Sequence, residues 1–235
     1  MSEAEKKETK KEAEILSQLD HPNIIKFKEF FTSKKPEPTF NIVAEYADGG
    51  DLDIHIKTLA KGQYFPEDHI LDLFTQICMA VKHMHNKHII HRDLKAQNIF
   101  LMKTGYVKLG DFGIAKTLQN TWEKAKTMIG TPYHLSPEIV QGKPYSFKSD
   151  IWSLGVLLYQ MMMHKMPFDA NSLPMLSLKI MKGSFAPINI KNYSPDLKNL
   201  VKLMLNVEPE KRPSAKELLS KLIIINPLRY EYNKE

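Results

Sequence analysis

Between His91 and Gly113 the chain gathers Asp93, Lys95, Asn98 and Asp111. Two carboxylates, an amide and an ammonium suit a hard, oxygen-bound cation beside a phosphate, not a soft transition metal. Ile99 to Leu101 and Tyr106 to Leu109 are short apolar runs around Lys103-Thr104-Gly105, which is turn chemistry for a hairpin. A hairpin brings its ends together, so Asp93 and Asn98 before it should meet Asp111 after it. Taken singly, Asp93 and Asp111 read as solvated loop carboxylates. Their spacing with Lys95 and Asn98 points to a site.

His91-Arg92-Asp93-Leu94-Lys95 with Asn98, then Asp111-Phe112-Gly113, then Ser136-Pro137-Glu138, resembles the eukaryotic protein kinase signature in order and spacing. The resemblance covers nearly the whole chain. Stretches such as 96–101, 109–116 and 148–155 are similar to the NIMA-related serine/threonine kinases. The resemblance implies an α+β, protein-kinase-like bilobal fold. Residues 1–46 would form a partial, truncated N-lobe of one helix and two strands, residues 47–225 a mostly helical C-lobe, and 226–235 a short tail without room for a regulatory domain.

It also implies roles. Asp93 would orient the substrate hydroxyl and accept its proton, and Lys95 would neutralise the moving phosphoryl group. Asn98 and Asp111 would hold Mg²⁺. The hinge Glu45-Tyr46-Ala47, behind the gatekeeper Ala44, would meet the adenine of ATP. Asp51 would lie near the ribose, with Phe100 also in the cofactor site. Glu12 looks like the glutamate that pairs with an N-lobe lysine; the bland reading is a surface ion pair. Thr127 and Thr131 would be the regulatory threonines of the segment 116–137, and Arg92 would receive a phosphate on Thr127. The bland reading makes Thr127 an ordinary loop residue. His91 and Phe112 would stack with Leu16 and Phe27 in a column joining the lobes. Glu138 would pair with Arg212. Asp150 is either a first-turn residue favoured by the helix dipole or the buried anchor of the catalytic loop. His134 departs from the tyrosine usual at its position.

The family's glycine-rich loop and lysine-bearing strand have no counterpart before Glu12. Three readings therefore stay open. One is a Mg·ATP-dependent serine/threonine kinase with protein substrates and an activating partner. Another is a catalytically impaired kinase or pseudokinase serving as a binding scaffold. The third is a partial gene model whose missing strands lie upstream.

The elements that must position these residues follow from periodicity. A helix is expected over 2–19, with Ser2 and Glu5 at capping-box spacing. Strands are expected over 25–31 and 40–46 around the turn 34–38. Pro66 to His85 repeats its apolar residues at 3–4 spacing, which predicts a long amphipathic helix. Further helices are expected over 149–163, 174–182, 195–205 and 214–222. The length of 235 residues permits one large domain or two small lobes. With 43% apolar and 26% charged residues the chain is not of the disordered class. The net charge of +6 is mild and its lysines are dispersed, so no nucleic-acid footprint is expected. Cys78, the single cysteine, excludes an internal disulfide framework and reads as core. There is no long apolar run and no signal-peptide pattern. The expected address is cytoplasmic, with nuclear or cytoskeletal association open.

Overall fold

Beneath the hairpin lies a floor of helices, and the apolar spacing of the sequence explains it. The structure, a computed structural model, describes residues 13–33, 39–60, 62–110 and 133–225. In chain order its elements are a helical segment at 13–17, strands β1 (Phe27–Ser33) and β2 (Thr39–Ala44), helices α1 (Leu52–Thr58) and α2 (Glu67–Asn86), and strands β3 (Ile99–Leu101) and β4 (Val107–Leu109). Helices α3 (Pro137–Val140), α4 (Phe147–Met163), α5 (Leu173–Lys182), α6 (Pro195–Met204) and α7 (Ala215–Ile225) follow. The class is α+β, as expected.

Along α2, Ile70, Leu73, Phe74, Ile77, Ala80, Val81 and Met84 are all buried, so the predicted stripe is the one that faces the core. Cys78 is fully buried there, and burial pushes its thiol well up, so it stays protonated and inert. Helix α4 is buried nearly all round, which suits its apolar sequence. Ser146 and Ser149 close a capping box at its start. Met161 and Met162 are core filler.

Helix α4 passes close to α6 at Gly155. A Cβ there would lie 2.8 Å from the Met204 Cβ and 2.9 Å from the Leu205 Cδ2. Gly155→Ala gains about 1 kcal/mol in helix propensity, but overpacking costs about 1–3 kcal/mol. The clash should win, and the urea midpoint of the variant should fall; a rise would show that α6 yields without cost.

Two small antiparallel sheets accompany the helices, β1 with β2 and β3 with β4. In β1–β2 the register runs from Phe27↔Ala44 to Ser33↔Thr39, with a bulge between Phe27 and Glu29. Phe31 and Ile42 remain 49% and 39% exposed, as expected for a two-stranded sheet, which is marginal alone. In β3–β4 Ile99 faces Leu109 and Leu101 faces Val107. The Ile25 N–H donates to the Leu109 carbonyl at 2.9 Å, and the Leu109 N–H to the Asn23 carbonyl at 2.8 Å. The buried Asn23 amide donates to Gln76 Oε1 and the Val107 carbonyl, and Gln76 Oε1 also accepts from the Val107 N–H. The hairpin is thus clamped between residues 23–25 and α2. On its other edge Gly49 and Leu101 share a hydrogen bond of 2.8 Å. A Cβ on Gly49 would lie 2.7 Å from that Leu101 oxygen, so a bare glycine permits the approach.

Several boundaries differ from expectation. The first helix ends at residue 17, not at Leu19; its expected portion 2–12 lies outside the described residues. The strands of the first sheet begin and end two residues from their expected positions at 25–31 and 40–46, except that β2 starts at Thr39. Helices α1 and α3 were not predicted at all. Among the described residues no helix is long and apolar enough to cross a membrane.

Candidate active site

The loop before β3 takes a shape that its sequence alone would resist. Arg92 has φ of 71°, a left-handed conformation that is costly for a residue with a side chain. Asp150 holds it there. Its Oδ2 accepts from the His91 N–H at 2.9 Å and its Oδ1 from the Arg92 N–H at 3.0 Å. The Tyr145 hydroxyl donates to Oδ1 at 3.0 Å, and His85 Nε2 lies 2.9 Å from Oδ2. Burial alone would push the Asp150 carboxyl up, but the hydrogen bonds and charge of His85 and the His91 N–H outweigh it, so the group sits below its usual range. Asp150 also stands in the first turn of α4. The two readings offered for it are compatible.

With that backbone fixed, the reactive side chains converge. Lys95 Nζ lies 2.8 Å from Asp93 Oδ2. The Asn98 amide donates to the Asp93 carbonyl at 2.7 Å and to Asp93 Oδ2 at 3.1 Å. The Asp93 side chain is 18% exposed and that of Lys95 31%, so both can meet a ligand from solvent. His91 is fully buried beneath them, and its Nδ1 accepts from the Asp93 N–H at 3.3 Å. Asn98 ends a short 3₁₀ turn, and its carbonyl accepts from the Gly110 N–H at 3.1 Å. The hairpin therefore does bring its two ends together, at Asn98 and Gly110. Asp111, the next residue, lies outside the described residues, as do Glu12, Phe112, Thr127 and Thr131.

Among the described residues no group of three His, Cys, Asp or Glu could hold a metal ion. A cation here would rely on the Asn98 oxygen, on Asp111 and on oxygens of a bound phosphate. That donor set fits Mg²⁺, which uses one or two carboxylates and substrate phosphates and not an all-protein cage.

In the stretch expected to form the hinge, Ala44 pairs with Phe27 and Ala47 is half-buried, while Tyr46 is 82% exposed. Glu45 points away from any ligand role for its side chain: it lies 2.9 Å from Lys108 Nζ and also accepts from the Lys26 N–H. Burial pushes its carboxyl up, but these two partners pull it below the usual range. Its own N–H donates to the Lys26 carbonyl. Asp51 bridges to Phe100, and its Oδ1 caps α1 by accepting from the Ile54 N–H at 2.9 Å. That capping role went unread in the sequence. The Phe100 ring packs over Gly110, where a Cβ would lie 2.9 Å from its Cε2.

His134 sits near the same pair. Burial drives its imidazole to about 4; the Asp93 charge opposes this and the Lys95 charge adds to it. The ring is neutral at physiological pH, with its backbone oxygen held by the Ser153 hydroxyl. Away from the mouth, Arg212 meets Glu138 through two hydrogen bonds of 2.8 Å each. Ser149 donates to the same carboxylate at 2.7 Å. Sequence reading missed Ser149, His85 and Tyr145. No fixed spacing announces them, because each acts across an element boundary.

Residues 1–224 match the protein kinase domain family. The chain is 48% identical over 221 residues to serine/threonine-protein kinase Nek1 of Mus musculus, an alignment covering 94% of this chain and 18% of that protein. It is 48% identical over 223 residues to serine/threonine-protein kinase Nek5 of Homo sapiens, covering 94% of this chain and 31% of the relative. With serine/threonine-protein kinase Nek3 of Mus musculus the identity is 49% over 211 residues, covering 90% and 40%. The chain thus spans less than half the length of each of these relatives.

Proposed function

Because the chain belongs to the protein kinase family, with Nek serine/threonine kinases among its relatives, we propose that it transfers the γ-phosphate of ATP to serine or threonine hydroxyls of a protein. The observation that carries this reading is the cluster of Asp93, Lys95 and Asn98 at the mouth of an Asp150-anchored loop. Asp93 orients the substrate hydroxyl and takes its proton as the oxygen attacks the γ-phosphorus. The bond from that phosphorus to the bridging oxygen breaks, and ADP leaves. Lys95, held 2.8 Å from Asp93, balances charge on the group in transit.

Asn98 and Asp111 would hold Mg²⁺, which neutralises phosphate charge when bound. The adenine lies against the hinge 44–47, with Asp51 and Phe100 beside the sugar and ring. The division into lobes, 1–46 and 47–225, belongs to this reading. So do regulation through Glu12, Thr127 and Thr131, and the pairing of Arg92 with a phosphate.

The test incubates the chain with γ-labelled ATP, magnesium and a general protein substrate. Label on phosphoserine and phosphothreonine, lost on adding a chelator, is the expected result. Label confined to phosphotyrosine, or none, overturns the proposal. No transfer with ATP still raising the melting temperature would instead favour a nucleotide-binding scaffold.

A further inference from the structure

Helices α4, α6 and α7 leave a cavity of about 530 Å³ between them, beside the turn that precedes α7. Lys148 of α4, Leu203 of α6, residues 210–213 of the turn, and Glu217, Ser220 and Lys221 of α7 form its wall. The volume is that of an ordinary ligand cleft. The proposed reaction makes no use of it.

The cations of this wall differ in how they are employed. Every nitrogen of the Arg212 guanidinium already donates, to Glu138 or to the carbonyls of Asn206, Lys148 and Val207. Lys211 pairs with Glu208 at 2.6 Å. Lys148 and Lys221 remain, and neither forms an ion pair among the described residues. Lys148 is half-buried, and its Nζ donates to the Arg212 carbonyl. That bond fixes the ammonium in place and leaves it N–H groups to spare.

Both free ammoniums bear on Glu217. Its Oε2 accepts from the Ser214 N–H and hydroxyl at 2.7 Å each. Those bonds, and after them the charges of Lys148 and Lys221, hold its carboxyl below the usual range. The two lysines therefore converge on one part of the cavity, while the carboxylate they share is tied to the start of α7. Glu210, on the 3₁₀ turn Pro209–Lys211, is the other carboxylate of the wall.

We propose that this cavity binds a single phosphate monoester, seated between Lys148 and Lys221. A dianion with three acceptor oxygens satisfies both ammoniums at once, where a carboxylate brings one charge and two oxygens. Leu203 and Pro213 offer apolar wall to the carbon skeleton behind the phosphate. A polyanion such as nucleic acid fits poorly, because Glu210 and Glu217 would face its further phosphates. A metal ion fits poorly as well, because no group of three ligating side chains exists among the described residues. A phosphorylated serine or threonine of a protein and a small phosphate ester offer the same chemistry, and the experiment separates these sources. Binding here needs no turnover, so the inference goes beyond the proposed reaction and does not depend on it.

The probe is a fluorescein-labelled peptide of glycine, alanine and leucine with one phosphoserine; its twins carry serine or aspartate at that place. By anisotropy the full chain should bind the phosphopeptide at least ~10-fold more tightly than either twin. Lys148→Gln with Lys221→Gln should remove the preference. Because Lys148 also supports the Arg212 carbonyl, Lys221→Glu is measured beside it, at an exposed position. That variant should melt near the wild type and bind the phosphopeptide ~10-fold more weakly. Competition then names the source. Displacement by free O-phosphoserine at concentrations like those of the unlabelled phosphopeptide identifies a small ester, and displacement by the phosphopeptide alone identifies a protein segment. Equal binding of the three peptides, or a preference that survives in both variants, overturns the proposal. If the phosphopeptide binds while γ-phosphate transfer is absent, the functional reading fails alone; transfer without such binding sinks only this inference.

Discussion

Asp93→Asn is expected to lower phosphoryl transfer by about 10²–10⁴-fold, the usual contribution of a positioned general base. The substitution keeps the size of the side chain and its reach toward Asn98 and Lys95, but an amide cannot take the hydroxyl proton. The side chain is partly exposed and the loop is held from behind by Asp150. Stability should therefore change by less than about 0.5 kcal/mol, and the melting temperature should stay within about 2 °C of the wild type. The loss should fall on kcat, because the residues proposed to hold ATP, 44–47 and Asp51, are untouched. Single-turnover rates for both proteins, beside their melting curves, decide the matter. A variant that retains more than a tenth of wild-type transfer would remove Asp93 from the reaction. A collapse in melting temperature would mean that its carboxylate serves the fold.

The reactive end of the molecule was legible because its signals are local. The apolar runs and the Lys103-Thr104-Gly105 turn predicted the hairpin, and β3–β4 pairs in that register. The motif spacing then placed Asp93, Lys95 and Asn98 together, and their separations agree. Helix α1 shows where such reading fails. Leu52-Asp53-Ile54-His55-Ile56 alternates apolar and polar, which is strand periodicity. It is nonetheless a helix, because Asp51 caps it and Leu52 and Ile56, four apart, both find the core while Ile54 stays 57% exposed. Tertiary burial chose the period. The polar supports were hidden for another reason. Asn23 meets Gln76, and His85 meets Asp150, across 53 and 65 residues of sequence. No pattern within one element encodes such a pair.

Arg212→Leu is expected to destabilise the fold by about 3–5 kcal/mol, the typical cost of breaking a buried ion pair from one side. Arg212 is 1% exposed and Glu138 6%. Beyond its two bonds to Glu138, the guanidinium donates to the Asn206 and Lys148 carbonyls and lies 5.0 Å over the Trp152 ring. Leucine leaves the Glu138 carboxylate buried with Ser149 as its remaining side-chain partner. Glu138→Gln should cost less, because the guanidinium keeps its carbonyl partners. Combining the two should cost less than the sum of the single changes, since no lone charge then stays buried. The pH dependence separates this account from simple loss of packing. Burial alone would raise the Glu138 carboxyl, but the Arg212 and Ser149 hydrogen bonds hold it below its usual range. A carboxyl depressed by folding contributes its full stability above the unfolded-state value and loses it as pH falls through the folded-state value. The wild type should therefore weaken on acidification below about pH 5. In Arg212→Leu burial acts without the guanidinium and raises the same carboxyl, so that variant should gain stability over the interval where protonation relieves the buried charge. Urea midpoints at neutral and mildly acid pH read both slopes, and parallel slopes would show that Arg212 supports the fold through packing and not through charge.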